Sequence, residues 1–140
     1  MTDIIQETDA KRKYLRQYRI NRAMISRLKN KILNLDERIK NLRSPTLSDM
    51  PRGGTPITKE DLIAEKDEKI DRLNRLEVKG KRIKADILDK IDDLDDPRYA
   101  EVLESYFIDC KNIEVIADEN NYTTRHIERL LADAIESISL

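Results

Sequence analysis

The chain has one histidine, His126, one cysteine, Cys110, and 28 carboxylates. A metal site needs several ligands at suitable spacing, and neither His126 nor Cys110 has a second residue of its kind to complete one. A lone cysteine also rules out an internal disulfide. The carboxylates recur at the helical spacing of surface ion pairs. There is no nucleophile–base pair, no glycine-rich phosphate loop and no zinc signature. No catalytic residue, metal or cofactor is therefore expected, and the chain does not read as an enzyme. Residues fit for recognition lie in one run: Thr123, Thr124, Arg125, His126, Glu128 and Arg129. Arginine can pair bidentately with guanine, and threonine can bond a phosphate or pack on a thymine methyl. At the start of a helix, backbone N–H groups add attraction for phosphate. The chemistry on offer is non-covalent contact with double-stranded DNA.

Such contact requires a helix held by its neighbours. Ile113, Ile116 and Ala117 recur at helical spacing, and the small Ala117 permits a close crossing. Asn121 follows where a turn needs left-handed backbone, which Asn tolerates better than most residues. Tyr122 is expected to plug the gap between the helices, and Thr123 to cap the next one. Ile127, Leu130 and Leu131 would face the core. This order predicts a helix-turn-helix whose second helix enters the major groove. Asp96-Pro97, a cap followed by Pro at the first helical position, marks the start of the module. Three helices are predicted near 97–108, 112–119 and 123–138.

Upstream, the pattern is that of long helices. From about Asp9 to Arg43 there is no Gly or Pro; Tyr18, Ile25, Ile32 and Ile39 fall seven apart. Tyr14, Leu28, Leu35 and Leu42 interleave with them, and Asn21 is the polar member of this coiled-coil seam. Pro45, Pro51, Pro56, Gly53 and Gly54 make 44–57 a loop. Thr58 and Asp61 form a capping-box pattern at the head of a second helix, 58–94. Its stripe is Leu73, Leu76, Ile83, Ile87 and Leu94, widened by Ile63, Ile70 and Ile91, with Gly80 on the seam. The expected fold is all-α: a long antiparallel helical hairpin over 1–94, then a three-helix helix-turn-helix module over 95–140. Met24, Ile20, Leu33, Ile63 and Ile70 lie beside the seams and would suit a homo-oligomer, most simply a dimer.

The net charge of −1 conceals a polarity: residues 1–43 carry +7, 44–94 carry −1 and 95–140 carry −7. Lys11, Arg12, Lys13, Arg16, Arg19 and Arg22 are candidate phosphate contacts in a basic stretch that continues through Arg27 and Lys29. The same stretch could instead be a solvated face, or could dock on the acidic module. No apolar run approaches the roughly 20 residues of a membrane span, and Met1–Gln6 is no signal peptide. The expectation is a soluble protein of the cytoplasm, without a membrane partner.

Two resemblances refine this reading. The run "DPRYAEVLESYFIDCKNIEVIADENNYTTRHIERLLADAI" resembles the sigma-70 region 4 helix-turn-helix of bacterial sigma factors, with Asn121 where Gly is usual. Together with "YLRQYR" and the "SDMPRGG" loop, it is similar to the ArpU-like and RinA-like transcriptional regulators of phages and prophages. That resemblance implies a bacterial host cell, transcription regulation, activation of late genes and contact with host RNA polymerase. The alternatives are a small terminase-type DNA-recognition and assembly subunit, or a protein-only helical adaptor.

Overall fold

A computed structural model describes residues 2–42 and 57–140. Those residues are all-helical, with five α-helices and no strand: α1 Thr2–Asn41, α2 Lys59–Asp92, α3 Pro97–Leu103, α4 Ile113–Asn120 and α5 Thr124–Ser137. The expected loop at 44–57 lies, apart from Ile57, outside the described residues. Helix α1 begins seven residues before the expected Asp9 because no Gly or Pro interrupts the intervening stretch. Helix α2 begins where its cap dictates. Thr58 Oγ1 accepts from Asp61 N–H at 3.2 Å, and Asp61 Oδ2 accepts from Thr58 N–H at 3.1 Å.

The chain forms two compact units, residues 1–22 with 79–140, and residues 23–78. The first has the thicker core. Val102, Leu103, Phe107, Ile108, Ile116, Ala117, Ile127, Leu131, Ala134, Ile135 and Ile138 are buried together with Leu15 of α1 and Ile87 and Ile91 of α2. Residue 94 therefore does not bound this core. Leu15 sits one position off the heptad seam, so a two-helix pattern would leave it in water; here the C-terminal helices cover it completely. Within this unit α1 and α2 run antiparallel. The Tyr14 hydroxyl donates to Asp86, and one turn or two further on Asn21 faces Gly80. A Cβ at Gly80 would run into the Asn21 amide oxygen, so the two departures from an apolar seam are one feature. The missing side chain makes room for a polar one that is 4% exposed.

In the second unit the helices are again antiparallel. Lys29 pairs with Glu77 at 3.9 Å, and Asp36 pairs with Lys66. Its buried residues are Ile25, Leu28, Leu35 and Leu62. The expected seam member Leu42 is 42% exposed and lies one residue past the end of α1 at Asn41.

Helix α3 starts as its sequence requires: Asp96 Oδ1 accepts from Arg98 N–H at 2.9 Å, and Pro97 fills the first position, where no N–H is needed. The single helix expected over 97–108 is in fact α3 followed by a π-helical turn, Glu104–Ile108. Asp109 N–H closes on Glu104 C=O at 2.9 Å, and Lys111 N–H reaches back to Ser105 C=O at 3.0 Å. Adjacent aromatic residues on this turn face different ways. Phe107 enters the core while Tyr106 stays half-buried, their rings edge to face at 4.8 Å. The chain leaves this turn through Cys110 at φ 57°, a left-handed value uncommon outside Gly, Asn and Asp. Cys110 is half-buried and serves as the turn's exit.

Candidate DNA-recognition surface

Helix α4 ends at Asn120, and Asn121 is left-handed at φ 59°, ψ 38°. Its N–H returns to Asp118 C=O, and that of Tyr122 returns to Ala117 C=O at 2.9 Å. The chain then re-enters helix at Thr123, whose Oγ1 accepts from His126 N–H at 3.1 Å. The crossing of α4 and α5 is closed by Ile116, Ala117, Ile127 and Leu131, all buried, with Leu130 half-buried beside them. Tyr122 does not plug this gap as expected. The four core residues close the crossing; the ring is 46% exposed, lines a surface pocket with Ile116, Ile127 and Leu130, and lies against the His126 ring at 4.4 Å.

All six recognition candidates, Thr123, Thr124, Arg125, His126, Glu128 and Arg129, are exposed and share the first turns of α5. The first turn carries no carboxylate. The other basic residues of this module are occupied. Arg98 pairs with Asp96 at 3.0 Å and Lys111 with Glu119 at 2.9 Å. The hydrogen bond to Arg98 holds the Asp96 carboxyl below its ordinary range, and the bond to Glu119 raises Lys111. Among the described residues, Arg125 and Arg129 enter no ion pair. A module with eleven carboxylates in 95–140 thus leaves two unpaired cations, both on the helix proposed to read bases.

The six basic candidates on α1 separate by environment. Arg19 Nη1 donates to Tyr106 C=O at 2.9 Å, and its guanidinium lies 4.2 Å from the Tyr106 ring centroid. Lys11 Nζ donates at 2.8 Å to Glu136 C=O, in the last turn of α5, where the helix dipole favours a cation. These two act within the fold, and sequence periodicity gave no sign of it, since their partners lie 87 and 125 residues away. Lys13, Arg16 and Arg22 are exposed. Arg12 and Arg16 share the wall of a surface pocket with Tyr106, Ile113, Glu128 and Leu131, which brings them beside α5.

No protein-family model, curated protein or solved structure matches the chain. No helix among the described residues is long and apolar enough to cross a membrane. No cluster of three or more His, Cys, Asp or Glu among them could hold a metal ion.

Proposed function

We propose that this chain is a sequence-specific DNA-binding transcriptional regulator whose α5 enters the major groove. The supporting observation is the exposed start of α5. Thr123 caps it, a left-handed Asn121 aims it, and its two arginines are the unpaired cations of an acidic module. In this reading α1 and α2 form a helical hairpin that carries a sigma-like helix-turn-helix. Arg12, Lys13, Arg16 and Arg22 supply flanking phosphate contacts, while Lys11 and Arg19 hold α1 against the module. A phage or prophage setting, late-gene activation and contact with host RNA polymerase follow from the sequence resemblance. A dimer would present two such helices to half-sites about 34 Å apart.

Selection of bound duplexes from a random oligonucleotide pool is the test. A reproducible motif is expected. Arg125→Ala should then lose about 1–3 kcal/mol of affinity and relax preference at one position, whereas Arg16→Ala should weaken all sequences alike and lower the salt slope by about one. A pool that yields no motif at low salt would defeat the reading. The excess of carboxylates in 95–140 then favours a protein-only adaptor.

A further inference from the structure

The second unit holds a feature that DNA reading by α5 does not use. Between α1 and α2, Met24, Arg27, Leu28, Lys31, Arg72 and Leu76 line a groove of about 270 Å³. The residues come in pairs one helical turn apart: Met24 with Leu28, Arg27 with Lys31, Arg72 with Leu76. Apolar side chains make the floor, and no carboxylate lines the walls. Three other cations of this unit are paired: Lys29 meets Glu77, Lys66 meets Asp36 and Lys69 meets Glu65, while Arg38, Lys40, Lys59 and Arg75 lie outside the groove without an ion pair among the described residues. Among the described residues, Arg27, Lys31 and Arg72 enter no ion pair. The cause is partly in the sequence of α1, where no Asp or Glu occurs from Ala10 to Leu35.

We infer that this groove docks an acidic amphipathic helix of a partner protein. Charge complementarity selects the occupant. Three cations around a floor of Met and Leu match a helix with an apolar stripe flanked by carboxylates, which guanidinium groups can grip bidentately. The flexible thioether of Met24, 41% exposed, can adapt to the side chains laid on it. Two-fold pairing of this face with a second copy would set like charges together. A phosphate backbone would gain nothing from covering Met24, Leu28 and Leu76, since a charged group is costly to bring onto apolar surface.

The test is fluorescence anisotropy on the full-length chain with a labelled helical peptide of about 18 residues, bearing a Leu/Met stripe flanked by glutamates. Binding that weakens with salt is expected. The double variant Arg27→Glu/Arg72→Glu should reduce it about tenfold or more. Met24→Ala should weaken binding while leaving its salt dependence unchanged. Lys40→Glu, on the opposite side of α1, should have no effect. Circular dichroism of each variant should show intact helices, since the changed side chains are exposed. The inference fails if the probe does not bind the unaltered chain at high micromolar concentration, or if a lysine-flanked probe binds equally well. It also fails if the double reversal leaves probe binding unchanged. Competition by a short DNA duplex, lost in the double reversal, would assign the groove to phosphate instead. A dimer dispersed by the double reversal in sedimentation would assign it to a second copy. Either result overturns the inference.

Discussion

The two compact units share the same two helices, yet they are built differently. In residues 23–78 two helices meet along one stripe, and the buried set is Ile25, Leu28, Leu35 and Leu62. In the other unit α3, α4 and α5 close over the same helices, so that Leu15, Ile87 and Ile91 become fully buried. An amphipathic stripe specifies which side of a helix is dry but not how deep the dry region is. Depth comes from the number of elements that converge. Polar groups follow the same division. The thick unit tolerates a buried Asn21 because Gly80 yields space, and it turns Arg19 and Lys11 to its own carbonyls. The thin unit keeps its cations at the surface, where three of them line a groove.

This contrast sets the order of expected effects. Phe107→Ala removes a ring that is 1% exposed at the centre of the thick core and should cost about 3–5 kcal/mol in urea unfolding. Leu35→Ala, equally dry but covered by only one neighbouring helix, should fall near the lower end of the range for such changes, about 2 kcal/mol. If Leu35→Ala proved the more costly, the contrast in depth would be wrong.

A smaller effect tests the polar contact. Gly80→Ala would ordinarily favour a helix by about 1 kcal/mol. Here the added methyl meets Asn21, and a net loss of about 1–2 kcal/mol is expected. Asn21→Ala in the same chain should recover much of that loss. Additive behaviour in the double-mutant cycle would show that the two positions are independent. Thr123→Ala should cost about 1 kcal/mol, by removing the acceptor for His126 N–H.

The smallest expected effect is one of pH. Burial and the bond to Asp86 push the Tyr14 hydroxyl above its ordinary value of 10.0. The folded chain then holds the proton where the unfolded chain has lost it. Stability from this source is complete below pH 10, and it falls as pH rises beyond that value. Tyr14→Phe should flatten the decline measured by chemical unfolding above pH 10. An unchanged slope would mean that the decline comes from other groups.

Local order was legible because it depends on neighbours in the chain. Thr58 with Asp61, Asp96 with Pro97, left-handed Asn121 and the cap at Thr123 all form where residue type and spacing require. Each involves residues within three positions of one another, so the sequence carries both partners together. The exposed face of α5 was legible for a related reason: helical period and the apolar set Ile127, Leu130 and Leu131 together fix which side chains are left outside. Three other features were decided by packing alone. Periodicity places Leu15 off the seam, and only the cover supplied from residues 97–138 makes it core. Tyr122 was expected inside, yet four other side chains close the crossing and its ring stays 46% exposed. Arg19 and Lys11 belong to the same basic run as Arg16 and differ from it in donating to backbone carbonyls, those of Tyr106 and of Glu136 near the end of α5. A charged side chain's type says that it needs a partner; which partner it meets, protein carbonyl or solvent, is set by how residues distant in sequence come together.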